Sequence, residues 1–175
     1  MVSLAPDCGW ISPEEQISIF CDGACPRNGK TGAKAGYGVI VYRGTRTILH
    51  TYSSPLSADE PQTNQRAELR ALFYSIHYVA EAGGTIQSVN IYSDSMYAID
   101  CIKTWGPAWE ARGWKKADKH PIINLDLIQP MYELWQSIKR HCTLLHVRAH
   151  TGRHDFISLG NRAADSLATA AATAT

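Results

Sequence analysis

Ile17-Ser18-Ile19-Phe20-Cys21-Asp22-Gly23-Ala24 is the stretch that decides the fold of this chain. Residues 16–22 alternate apolar and polar, which predicts a β-strand, and the strand ends on an acid. Outward from it, Gly36–Tyr42 reads as a second strand after a glycine-rich turn at 29–36. Thr47–Tyr52 reads as a third, joined through Arg43-Gly44-Thr45-Arg46 as in an antiparallel meander. Pro61-Gln62-Thr63-Asn64 opens a helix that runs to about Ala82 and is stopped by Gly83-Gly84. Val89–Tyr92 is a fourth strand, and Ser93/Asp94 start a helix through about Thr104. Gly106-Pro107 breaks that helix and opens an aromatic and basic segment to Lys119. Asn124–Arg140 is helical in pattern, with Pro130 expected to bend it or delay its start. Thr143–Val147 is a fifth strand and Asn161–Ala172 a last helix. The expected fold is α/β: a mixed five-stranded sheet, three antiparallel and then two parallel strands, flanked by helices. The expected organisation is a loose leader at 1–14, one domain at 15–172 and a frayed Ala/Thr tail at 173–175.

Four acids interrupt these apolar elements. Asp22 ends the first strand, Asp94 follows the fourth, and Asp165 falls in the Ala/Leu-rich last helix. Glu68 lies within the stripe formed by Leu69, Leu72, Ile76 and Val79, so helix phase turns it toward the sheet. An ionised carboxylate in such a place is costly unless it is paired or binds a metal. Four together repel one another, and divalent cations are the usual remedy. A metal-dependent hydrolytic site is the first hypothesis.

The 175 residues suffice for a real core without staples, and no apolar run approaches the roughly 20 residues of a membrane-spanning helix. The start of the chain has neither the apolar core of a signal peptide nor transit-peptide arginines. Five cysteines, none in C-x-x-C spacing, fit free thiols in a reducing compartment. The expected location is therefore intracellular, in cytoplasm or nucleus, with no membrane partner; a viral or mobile-element origin is open. Cys142, His146, His150 and His154 recur every four residues, a spacing that aligns zinc ligands only on a helix, whereas this segment reads as a strand and loop. Net charge is +1 but unevenly spread. No acid lies between Asp22 and Asp59, where Arg27, Lys30, Lys34, Arg43 and Arg46 fall. Arg112, Lys115, Lys116 and Lys119 interleave with Trp105, Trp109 and Trp114. Acids gathered in the candidate site with bases around it suit a polyanionic substrate.

Six motifs in order carry a family resemblance: Phe20-Cys21-Asp22-Gly23-Ala24, Thr63-Asn64-Gln65-Arg66-Ala67-Glu68-Leu69, Ile91-Tyr92-Ser93-Asp94-Ser95, Arg112-Gly113-Trp114-Lys115, Val147-Arg148-Ala149-His150-Thr151-Gly152 and Asn161-Arg162-Ala163-Ala164-Asp165. With them the chain resembles type 1 ribonuclease H over nearly its whole length, a family of the retroviral-integrase/ribonuclease H-like superfamily that shares the expected five-strand layout. The resemblance implies hydrolysis of the RNA strand of an RNA–DNA hybrid, leaving 3′-hydroxyl and 5′-phosphate ends. It implies two Mg²⁺ ions, roughly 3.5–4 Å apart, with Mn²⁺ as a substitute. By analogy Asp22 bridges both ions, Glu68 and Asp94 hold one, and Asp165 holds the other. His150 matches the family's mobile-loop histidine, which moves protons or assists product release. Eleven positions separate it from Asn161, longer than usual for the family, so His154 is a possible substitute.

The same resemblance assigns substrate contacts. Asn28, Asn64 and Gln65 match positions that read 2′-hydroxyls across the minor groove, although Asn28 and Asn64 also suit turns and caps. Thr63 and Asn124 match positions that grip a DNA phosphate, with Pro61 where some relatives carry a basic partner. Trp105, Trp109, Arg112, Trp114, Lys115 and Lys116 resemble the basic protrusion along the DNA strand, with Trp114 expected to pack and Trp105 to touch substrate. Glu110 and the Gly106-Pro107 break make this protrusion less basic than in some members, so hybrid binding is expected to be weaker and more salt-sensitive than in those members. A monomer is expected. Two alternatives stay open: a DNA resolvase or integrase-type nuclease on the same fold, and a hybrid-binding module without catalysis.

Overall fold

The computed structural model describes residues 15–83, 88–149 and 152–174. Five strands form one sheet: β1 (Ile17–Ala24), β2 (Gly36–Arg43), β3 (Thr47–Pro55), β4 (Val89–Ser93) and β5 (Cys142–His146), in the order β3-β2-β1-β4-β5. β1–β2 and β2–β3 pair antiparallel, and β1–β4 and β4–β5 pair parallel. This is the mixed sheet expected from the sequence. Five helices among the described residues accompany it: α1 (Asn64–Ala82), α2 (Met96–Lys103), α3 (Trp105–Ala111), α4 (Leu125–Ile138) and α5 (Phe156–Thr173).

The two-residue period of β1 sorts its side chains onto two faces. Ile17, Ile19 and Cys21 join the main core with Leu69, Leu72 and Ile76 of α1, Ile102 of α2, and Ile128 and Met131 of α4. Phe20 points to the opposite face, which α5 covers with Ala164, Phe156 and Leu167. There the Phe20 ring stacks on Tyr92 at 4.7 Å and meets Phe156 edge-on at 5.4 Å. Asp22 shares the parity of Phe20, so its side chain lies on the α5 face.

Glycines let the helices come close enough to bring acids to β1. A Cβ on Gly23 would lie 2.2 Å from the backbone nitrogen of Glu68, so α1 rests directly on β1. A Cβ on Gly38 would meet Ala164 O at 2.6 Å, and one on Gly160 would meet the Phe20 ring at 2.4 Å. Small residues at these crossings thus set the depth of both acid-bearing helices.

Four elements differ from their sequence reading. The last helix starts at Phe156, five residues before the expected Asn161, because Asp155 caps it: its carboxylate accepts the Ser158 N–H at 2.9 Å. Five of the ten positions between His150 and Asn161 therefore belong to this helix. Gly106-Pro107 is not an irregular break but lies in the first turn of α3, where proline's missing N–H has no helical partner to lose. Pro130 does not delay α4, which begins at Leu125. α2 begins at Met96, later than the expected Ser93/Asp94, with Ser95 as its cap. Smaller shifts affect α1, which starts at Asn64 after its Thr63 cap, and β5, which is displaced by one residue.

Candidate active site

Strand pairing puts the first two acids side by side. Cys21 and Ser93 are partners in the parallel β1–β4 register, so Asp22 and Asp94 follow next to each other at the carboxyl ends of central strands. Asp22 is 8% exposed, and its Oδ1 accepts the Gly23 N–H at 2.8 Å. Burial, and then the charges of Asp94 and Asp165, push its carboxyl up to about 8. Asp165 of α5 is thereby also placed near Asp22. Asp94 is held at two points: Asn161 Nδ2 donates to its Oδ2 at 3.1 Å, and its backbone carbonyl lies 3.2 Å from His146 Nε2.

Glu68 sits half-buried in the first turns of α1. Asn64, one turn earlier, donates to its Oε1 at 2.6 Å, and the Ser95 hydroxyl donates to its Oε2. Burial raises its carboxyl above the ordinary range and the Asp94 charge raises it further, against the lowering hydrogen bonds of Ser95 and Asn64. Ser95 also caps α2, its Oγ accepting the Ala98 N–H at 3.2 Å. One serine thus ties Glu68 to the helix that follows Asp94.

The donor set is all carboxylate and amide oxygen, which suits a hard cation such as Mg²⁺. Among the described residues no three His, Cys, Asp or Glu side chains already close into a metal cage. Mg²⁺ does not require one, since it keeps several waters and takes substrate phosphate oxygens as ligands. The raised Asp22 carboxyl is the sign of fit: like charges crowd one buried group, and a divalent cation relieves them. The described cysteines offer no rival chemistry. Cys21, Cys25, Cys101 and Cys142 are free and buried, and burial pushes the Cys21 thiol up to about 12. Cys142 and His146 stand at opposite ends of β5, on a strand as expected.

The expected substrate residues fall into two groups beside the acids. At the start of α1, Asn28 Oδ1 accepts the Asn64 N–H at 3.2 Å, and Thr63 caps the helix with its Oγ1 accepting the Arg66 N–H at 3.2 Å. Arg66 is 4% exposed and runs from there to α4, pairing with Glu60 at 2.8 Å and Asp126 at 2.6 Å and approaching Asn124 Oδ1 at 3.5 Å. Thr63 and Asn124 are thereby linked through Arg66, whose backbone N–H meets Thr63 and whose buried guanidinium meets Asn124. Asn124 itself has φ 61°, and its amide donates to the Tyr97 hydroxyl at 3.3 Å. In the second group, Gln65, Tyr97, Trp105, Trp109, Lys116 and Ile123 line an open groove of about 490 Å³. Trp105 is 37% exposed, whereas Trp114 is half-buried and packs edge-on against Tyr132 at 5.5 Å. Lys115 is exposed and does not line this groove. His150 lies outside the described residues, and His154 is exposed just before α5. Ser95, Arg66, His146 and Asn161 received no role in the sequence reading; Ser95 alone carried a usable signal, as a serine at a strand-to-helix junction.

The RNase H family model matches residues 14–173. Ribonuclease H of Schizosaccharomyces pombe is 35% identical over 158 residues, covering 90% of this chain and 53% of that protein. Ribonuclease H of Erythrobacter litoralis is 35% identical over 160 residues, covering 90% of this chain and 96% of that protein. The chain therefore spans about half of the Schizosaccharomyces relative but nearly all of the Erythrobacter one. Among solved structures, the foamy viral protease–reverse transcriptase in complex with an RNA/DNA hybrid superposes with a TM-score of 0.76. It is 21% identical and covers 99% of this chain and 22% of that one, a likeness of fold. Sheet order, acid placement and these matches converge: the chain belongs to the type 1 ribonuclease H family of enzymes.

Proposed function

We propose that this chain, acting as a monomer, hydrolyses the RNA strand of RNA–DNA hybrids with divalent metal ions, leaving 3′-hydroxyl and 5′-phosphate ends. The observation that carries the reading is the crowding of Asp22 by Asp94 and Asp165 at the sheet's carboxyl edge, with Glu68 held alongside by Ser95. The family's matches to ribonucleases H, and the hybrid bound to a foamy viral protein of the same fold, support the choice of substrate.

Asp22, Glu68, Asp94 and Asp165 would hold the Mg²⁺ ions, or Mn²⁺ in their place. Bound there, such ions supply an activated water and charge stabilisation for the attacking and leaving oxygens. The chain's own residues fix the carboxylates. Gly23 orients Asp22, and Asn64 and Ser95 orient Glu68. Asn28, Asn64 and Gln65 lie at the start of α1, where they meet the minor groove and test for 2′-hydroxyls. Thr63 and Asn124 grip a phosphate of the DNA strand, held in mutual register by Arg66. Trp105, Trp109 and Lys116 form the groove for the rest of that strand, with Lys115 adding charge at its margin. His150 moves a proton or aids product release, with His154 as the alternative. The active domain spans residues 15–172 and works inside the cell.

The test is a substrate panel. Labelled RNA–DNA hybrid, duplex DNA and duplex RNA are each incubated with Mg²⁺, and the product ends are identified. Hybrid-specific cutting with 5′-phosphate products is expected; preferential cutting of duplex DNA would point to a resolvase-type nuclease instead. Turnover of His150→Ala and His154→Ala then assigns the histidine, since an unaffected His150→Ala enzyme rejects His150.

A further inference from the structure

Asn161 is 5% exposed, and its Oδ1 is the one buried side-chain oxygen or nitrogen among the described residues without a hydrogen-bond partner. Its other end is engaged: Nδ2 donates to Asp94 Oδ2 at 3.1 Å. The amide cannot turn round without setting its oxygen against the carboxylate, which accepts and does not donate when ionised. A buried polar group left half-satisfied is unfavourable for folding, so stability does not explain an asparagine here. Neighbouring residues seal it in place. Gly160 lets α5 rest on the Phe20 ring, and Ala164, 0% exposed, follows one turn after Gly160. Asn161 also lies one turn before Asp165, so α5 serves the acid cluster twice.

We infer that Asn161 is a positioning residue whose amide fixes the Asp94 carboxylate by engaging Oδ2, leaving Oδ1 of Asp94 turned toward the divalent cation. The inference rests on the metal reading proposed above and extends it to a residue outside the four acids. Outer-shell hydrogen bonds of this kind typically govern metal affinity by roughly 10–100-fold. A leucine of similar volume removes the donor and the unpartnered acceptor together. The Asn161→Leu variant is therefore expected to be at least as thermostable as wild type without metal, yet to bind Mg²⁺ on the order of 10–100-fold more weakly.

The experiment is calorimetric titration of the substrate-free full chain with Mg²⁺, alongside thermal denaturation in EDTA. Retained stability with weakened Mg²⁺ binding supports the inference. Wild-type Mg²⁺ affinity in Asn161→Leu overturns it. If that variant does not fold, Asn161→Ala is titrated instead, and an unchanged affinity there overturns the inference equally. Wild-type protein that takes up no Mg²⁺ either alone or with an uncleavable hybrid bound would overturn the metal reading itself, while uptake lost in Asp22→Asn but kept in both Asn161 variants would defeat the role of Asn161 alone.

Discussion

Replacing Asp22 by asparagine should abolish hydrolysis and, in the absence of metal, stabilise the fold. The ordinary value of this carboxyl is 3.8, and burial beside Asp94 and Asp165 pushes it up to about 8. Between those values the folded chain holds a proton that the unfolded chain has lost. Fewer protons on the unfolded state mean that stability falls as pH rises through this window and levels off above about 8. At roughly 1.36 kcal/mol per pH unit, the liability at pH 7 is on the order of 4 kcal/mol. Relaxation of Asp94 and Asp165 takes up part of it, so a gain of about 2–4 kcal/mol is expected from Asp22→Asn. For a chain of this size that raises Tm by roughly 5–15 °C. The amide oxygen that Asp22→Asn introduces can still accept the Gly23 N–H, so the change removes charge with little loss of packing. The assay is thermal denaturation in EDTA at pH 4 and pH 7, repeated at pH 7 with millimolar Mg²⁺. The gain should be present at pH 7, nearly absent at pH 4, and offset by Mg²⁺, which stabilises only the wild type. A variant no more stable than wild type at pH 7, or equally stabilised at both pH values, would refute the reasoning.

Other perturbations probe the scaffold around the acids. Gly23→Ala drives a Cβ to 2.2 Å from Glu68 N, so α1 must shift; about 1–3 kcal/mol of stability and most activity should be lost, read by denaturation and turnover. Arg66→Met removes one of the two arginines on Glu60, leaving Arg70 at 2.8 Å, takes away the partner of Asp126, and unlinks Asn124 from α1. Chemical denaturation should show a loss of about 1–3 kcal/mol, and KM for hybrid should rise more than kcat falls. Trp105→Ala removes a 37% exposed aromatic from the groove; hybrid affinity should fall while stability stays within about 0.5 kcal/mol of wild type, as measured by fluorescence binding and melting.

Much of the fold was legible because its signals are local. Ile17–Asp22 alternates, Gly83 ends α1, and the short link after Arg43 suits a hairpin, so the antiparallel meander followed from the chain. The errors came where one local signal masked another. Gly106-Pro107 reads as a breaker until its place in a first turn is known, and the Ala-rich run after Asn161 drew notice from the Asp155 cap that starts α5. At the site, Asp22 and Asp94 stand out as acids on strand ends, and Glu68 by its phase on α1. Their supports do not. The Ser95–Glu68, Asn161–Asp94 and Arg66–Asn124 contacts join residues 27 to 67 positions apart, and only the packing of α1, α2, α4 and α5 on the sheet brings them together.

The central claim is metal-dependent cleavage of RNA–DNA hybrid by the carboxylate cluster around Asp22. Its most direct test is single-turnover cleavage of a labelled hybrid by wild type and Asp22→Asn, each with Mg²⁺ and with EDTA. Cleavage by wild type in Mg²⁺ alone is expected, with the other three reactions silent while Asp22→Asn remains folded. Hybrid cutting that persists in EDTA, or in folded Asp22→Asn, would contradict the account.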